Sequence, residues 1–215
     1  MFATDRDLLI FEPNLFRDVS WTSQRLCQGT ATIASSIMTI AGADVALDDA
    51  GITAGHVAFI GGTPYEIIER LSPTTARLSR LRVDPHDDPI PVGPVATAVA
   101  CSVFTFAPQI AMVHRQVLPM LGIEPGAASA PGQPAETDIT NPAAFTRLEC
   151  LGALHLIYSA AGSLTAADSP TNQRAEFYRQ RFAQERERTA AEIDLNGDGL
   201  PDATRRLNVV YLLRA

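Results

Sequence analysis

Near Phe106 the hydrophobic period of the sequence changes, and that change restricts the chain to two successive kinds of structure. Upstream, β-branched and aromatic residues come in short runs, among them Thr30 to Ile33, Ile37 to Ile40, Val57 to Ile60 and Tyr65 to Leu71. Each is followed by Gly, Pro, Ser or Asp. Downstream, apolar residues recur every three or four positions, as in Ile110, Val113, Val117 and Leu121. The order predicts an α+β chain: a small β-barrel or sandwich module, then a helical bundle that ends in a strand-like tail.

The boundaries follow from turn and cap chemistry. Thr4 to Phe11, with Asp5 and Asp7 early and Pro13 as a stop, reads as the helix of an N-terminal arm over residues 1–20. Residues 21–104 form the β module. Val57 to Ile60 and Tyr65 to Ile68 flank a Gly61-Gly62-Thr63-Pro64 connection as a hairpin. Ala76 to Val83 and Val95 to Phe104 are further strands, separated by a Pro- and Asp-dense segment, 84–91, that cannot lie inside a sheet.

Residues 105–204 form the helical core. Pro108 suits the first turn of a helix that Pro119 kinks or ends. A Pro-, Gly- and Ala-rich loop over 124–138 follows. Asn141 as N-cap and Pro142 as first residue open a mostly apolar, hence central, helix to Ala161. Ser169-Pro170 opens a third helix that runs with a wet face to Ile193. In 205–215 the alternation of Leu207, Val209, Tyr211 and Leu213 reads as a short strand that seeks a sheet edge.

Composition narrows the function classes. The net charge of −7 opposes a nucleic-acid-binding surface over the whole molecule, since counterion release needs concentrated basic side chains. Every basic residue is Arg, which excludes Schiff-base and Walker-type lysine chemistry. Cys27, Cys101 and Cys150 are odd in number and widely spaced, so they read as buried thiols rather than a zinc site or disulfide framework. No run reaches ~18 apolar residues, and Asp5 and Asp7 stand where a secretory leader would be basic. The expectation is a product made in the cytoplasm, without membrane partners.

The sharpest motif is Asp194-Leu195-Asn196-Gly197-Asp198-Gly199-Leu200-Pro201-Asp202. In the register of an EF-hand loop, Asp194, Asn196 and Asp198 take the first three ligand positions. Leu200 supplies a carbonyl, and Asp202 falls at the ninth position. The twelfth, which in an EF-hand is a bidentate Glu, is Arg205. The segment is therefore either a short Ca2+ loop or a polar turn from helix to strand that needs no ion.

Mixed charges at helical spacing, including Arg179, Arg181, Glu185, Arg186, Glu187, Arg188 and Glu192, are either a solvated face or a subunit contact. His155 reads as a core histidine and His86 as part of a solvated acidic loop, while His56 and His114 have no partner at catalytic spacing. There is no nucleophile elbow, phosphate loop, HExxH or dinucleotide fingerprint.

In element order, the helix from Phe106 to Gly122, the loop, the helices Asn141 to Ala161 and Pro170 to Ile193 and the strand-like tail resemble the head-tail adaptor (connector) proteins of tailed bacteriophages and phage-like particles. Gly29-Thr30-Ala31-Thr32, Ala54-Gly55-His56-Val57 and Gly62-Thr63-Pro64-Tyr65-Glu66-Ile67 are similar to small β modules of phage structural proteins. Simple adaptors are nearly all helical, so the β module is an elaboration.

The resemblance implies a non-enzymatic virion protein of the neck, in a closed ring of about twelve copies. It also implies contacts to the portal and to stopper or tail proteins, with genomic DNA passing through an acidic lumen. Arg181, Glu185 and Arg188 are then the candidate subunit contacts, and Leu207, Val209, Tyr211 and Leu213 the docking tail. The alternatives are a calcium-dependent binding module with a β recognition domain and, more remotely, a hydrolase with residues that converge only in the fold.

Overall fold

The computed structural model describes residues 1–130, 133–163, 166 and 168–207, without the side chain of Ala96. It contains two compact units: Thr4–Ala107, and Met1–Ala3 together with the chain from Pro108 onward. The segment 1–20 is thus divided, with its first three residues in the second unit.

In the first unit, helices α1 (Asp5–Phe11) and α2 (Leu15–Asp18) precede six antiparallel strands: β1 (Arg25–Ala34), β2 (Ile37–Ala41), β3 (Val57–Ile60), β4 (Thr63–Arg70), β5 (Thr75–Ser79) and β6 (Val95–Phe104). They close into a barrel in the order β1-β2-β5-β4-β3-β6, with β6 returning to β1. Alternation puts Cys27, Ala31 and Ile33 of β1, Met38 and Ile40 of β2, and Cys101 and Val103 of β6 inside. Register shifts near Cys27 and between Ala31 and Ile33 bend β1 enough for closure. Of the two alternatives that the sequence leaves, barrel and sandwich, the barrel is formed.

The turns explain the tight connections. Ile60 pairs with Thr63, so Gly61 and Gly62, with φ of 56° and 86°, make a two-residue turn, and Pro64 already lies in β4. The equivalent turn between β1 and β2 is Ser35-Ser36, with φ of 50° and 61°, left-handed without glycine. The strand expected over Ala76 to Val83 stops at Ser79. After a single bridge between Arg80 and Ile90, the chain turns Arg82 inward to Glu66.

In the second unit α3 (Ala107–Met120), α4 (Ala143–Gly162) and α5 (Pro170–Arg188) pack together. On α4, Phe145, Leu148, Cys150, Leu151, Leu154, Ile157 and Tyr158 are buried, the central helix that its apolar sequence predicts. Gly152 makes the close approach possible: a Cβ there would meet Val113 Cγ1 of α3 at 2.7 Å and Phe182 of α5 at 3.0 Å. Ser169 caps α5 as expected, its side chain accepting the Asn172 N–H at 3.2 Å.

Two expectations change here. The third helix ends at Arg188, not near Ile193, because Ala190–Ile193 is a strand, β7, paired antiparallel with β8 (Ala203–Arg206). Asn141 does not cap α4. Its amide donates to the Ala190 carbonyl at 3.0 Å and accepts from the Glu192 N–H at 2.9 Å, which holds β7. β8 lies just upstream of the strand expected from Leu207, whose remaining positions are not among the described residues. Val209, Tyr211 and Leu213 lie outside the described residues.

Candidate functional site

Four groups of polar residues are built into the two units. The Asp194–Asp202 loop joins β7 to β8, so it is a hairpin connection and not a turn from helix to strand. Asp194 Oδ1 accepts the N–H groups of Asn196 and Gly197 at 3.1 and 2.7 Å, and Oδ2 accepts that of Gly199 at 2.7 Å. These bonds, that from Gly199 foremost, hold its carboxyl below the usual carboxylate range. Asn196 and Asp198 accept from Asp198 and Leu200, two residues on in each case, and Asp202 accepts from Leu195.

The side chains singled out as metal ligands thus satisfy main-chain donors, as Asx turns do. Among the described residues no group of three or more His, Cys, Asp or Glu converges as a metal site would require. Positive φ at Gly197 and Gly199, 81° and 82°, lets the loop fold over Asp194. Arg205, at the twelfth position, points away from the loop, and its Nη1 donates to the Leu121 carbonyl at 2.6 Å, at the C-terminal end of α3.

The second group is the outer face of α5. Phe177 is 49% exposed, and the Arg181 guanidinium lies 5.1 Å from its ring centroid. Glu176 accepts both Nε and Nη2 of Arg179 at 2.7 Å, and this pairing, with Gln180, pulls its carboxyl down to about 2. Of the predicted contact residues, Arg181 and Arg188 are exposed. Glu185 accepts from Arg147 Nε of α4 at 3.0 Å. Leu207 is 4% exposed and packs in this unit's core, so it anchors the tail and is not presented to a partner.

The third group was not legible as a site in the sequence. His114 of α3 is buried, with Nδ1 2.6 Å from Glu149 Oε1 and Nε2 3.0 Å from Glu136 Oε2. Glu149 is fully buried on α4, and its Oε2 accepts the main-chain N–H groups of Phe2 and Ala3 at 2.8 and 2.9 Å. Burial pushes the Glu136 carboxyl up, but hydrogen bonds from the Met1 nitrogen and His114 outweigh this and hold it below its usual value.

Glu136 also lines an open depression of about 460 Å³ with Phe2, Gly126, Ala135, Ile139 and Pro142. The signal that was available is Glu149 itself: a carboxylate among Leu148, Cys150 and Leu151 has no stable place in a core without a donor. His155, expected in the core, is only partly buried, whereas His86 lies on a solvated loop as expected. His155 is half-buried with Nδ1 3.1 Å from the Ala175 carbonyl, and His86 is exposed beside Asp84.

The fourth group lies in the barrel unit. Glu66, 1% exposed, is flanked by Arg6 Nε at 3.1 Å and Arg82 Nη2 at 2.5 Å, while Arg6 Nη1 meets Asp7 Oδ1 at 2.9 Å. Arg6 Nε is close to Glu66 without hydrogen-bond alignment. Two cations and two carboxylates balance, which makes this an internal structural cluster. Cys27 and Cys101 are buried thiols with pKa pushed up to about 11 and about 12 by desolvation, hence unreactive.

Among the described residues, no helix is long and apolar enough to cross a membrane. No protein-family model, curated protein or solved structure matches this chain.

Proposed function

We propose that the chain is a non-enzymatic assembly protein: a head-tail adaptor in the neck of a tailed phage or phage-like particle, set as a ring between the portal and the stopper or tail proteins. The observation that carries this reading is the outer face of α5. A half-exposed Phe177 topped by Arg181 combines the aromatic and guanidinium groups that dominate protein interfaces, and it sits on a rigid helix flanked by charges of both signs.

Two further features support it. The closed barrel has no free strand edges, so its interaction surfaces are loops, and the helical unit carries the contact between copies. The hairpin β7-β8 anchors Leu207 in the helical core, and the docking tail of this reading is the segment 208–215, which lies outside the described residues. A net charge of −7 suits a lumen through which DNA passes without adhering. In this reading the loop 194–202 serves as the connection between β7 and β8.

The test is structural. Density for a ring of this chain between portal and tail in purified particles is the expected result. The pair Phe177→Ala and Arg181→Glu should leave the melting temperature of the free protein unchanged and abolish that ring. Truncation after Leu207 should do the same. Tailed particles with normal necks from both variants would overturn the reading, as would a neck in which this chain is absent.

A further inference from the structure

We propose that His114 is a proton-operated latch that controls the rim of the depression beside Glu136. This is independent of any role in assembly. An imidazole with a carboxylate oxygen within hydrogen-bond distance of each nitrogen can donate to both only when both nitrogens carry hydrogen. When one proton leaves, one of the two carboxylates faces a lone pair. The fold decides which.

The two contacts are not equivalent. Glu149 has a completely buried side chain, with His114 Nδ1 at 2.6 Å. Losing that donor would leave Oε1 of a buried carboxylate facing a lone pair, an expensive change in a low-dielectric interior. Glu136, at 3.0 Å from Nε2, has a side chain 34% exposed and can turn into water at little cost.

Nδ1 therefore keeps its hydrogen, Nε2 loses it, and Glu136 is released. The groups that face the ring are consistent with this direction. Glu149 comes from α4, Glu136 from the short 3-10 turn Glu136–Asp138, and the Met1 nitrogen lies 3.1 Å from the other oxygen of Glu136, a second partner for it when Nε2 is bare. The Phe2 ring packs edge-on against the imidazole at 5.1 Å and is uncharged. Asp138 of the same turn is engaged elsewhere, with the Ala135 N–H at 2.8 Å.

Because Ala135, Glu136, Thr137 and Ile139 form one wall of the depression, release of Glu136 alters its polarity and its opening together. A buried histidine thus becomes a sensor whose output is the surface formed by Gly126, Ala127, Ala135, Glu136, Thr137 and Ile139. Such a device needs a ring shared unequally between a fixed partner and a movable one, which is the arrangement here.

The test is NMR titration of the intact chain, with the ring nitrogens of His114 and the side-chain carboxyl carbon of Glu136 observed directly. In the charged state both ring nitrogens should be protonated. With rising pH, Nε2 alone should become bare, and the Glu136 carboxyl and the amides of Gly126, Ala127, Thr137 and Ile139 should shift with the same midpoint. In Glu136→Gln, which preserves size, the ring should still titrate while those amides no longer follow it. A bare Nδ1, a ring that keeps one protonation state over the whole folded range, or groove amides that ignore the His114 midpoint would each overturn the proposal.

Discussion

Arg205 Nη1 donates to the Leu121 carbonyl at 2.6 Å, so the residue that breaks the resemblance of the acidic loop to an EF-hand is the one that closes the C-terminal end of α3. The last carbonyls of a helix lack intrahelical donors and carry the negative end of its dipole, and a guanidinium answers both needs. Gly122, with φ of 69°, turns the chain away at that point.

Arg205→Ala should therefore cost about 1–2 kcal/mol of stability, measured as a lower urea midpoint at unchanged m-value. Arg205→Glu, which completes the EF-hand pattern on paper, should cost more, since it sets a carboxylate against a carbonyl. It should also give no calcium-dependent rise in melting temperature. A rise with calcium would show that the loop oxygens reorganise readily.

Asn141 bridges Ala190 and Glu192 with both ends of its amide, so no other residue type serves fully. Asn141→Ala removes two hydrogen bonds and should destabilise the helical unit by roughly 1–3 kcal/mol. Asn141→Asp keeps the acceptor for Glu192 but not the donor for Ala190 and should fall between. Amide exchange at Glu192 reads the loss locally.

Asp5 is 3% exposed, and burial raises its pKa from 3.8 to about 6 although Oδ1 accepts the Phe106 N–H at 2.7 Å. A carboxyl that holds its proton more tightly when folded stabilises the fold below the unfolded value, and that contribution is lost as pH rises through about 6. Asp5→Asn retains the oxygen for Phe106 without the charge. It should be more stable than wild type by up to about 3 kcal/mol at about pH 8 and equal to it at about pH 3. Urea unfolding at several pH values tests this. A variant less stable at high pH would contradict it.

Ser35 and Ser36 both occupy the left-handed region, where an L side chain is strained. They are not equivalent: Ser36 Oγ accepts the Val92 N–H at 2.9 Å, while the Ser35 hydroxyl has no comparable bond among the described residues. Ser35→Gly should stabilise the barrel by about 1 kcal/mol. Ser36→Gly should gain less or lose, because the Val92 amide is left without its partner. Thermal melts of the two variants separate these effects.

The sequence determined the order of elements. Recurrence every three or four residues over α3 is a local pattern that fixes which face is apolar, the nearly unbroken apolar composition of α4 makes it central, and Ser169-Pro170 carries its own cap chemistry. The same local logic left the acidic segment as either a short Ca2+ loop or a polar turn. It could not place the end of a helix whose next residues are compatible with either state: Ala190–Ile193 continues the helical pattern of α5, and only Ala203–Arg206 and Asn141, distant in sequence, make it a strand.

The tertiary structure likewise decided the charged sites. Arg205 is a failed ligand by spacing and a helix cap by position. His114, Glu136 and Glu149 lie far apart along the chain, and no spacing rule joins them; packing of α4 against α3 does, because a buried carboxylate must find its donors wherever the fold brings them.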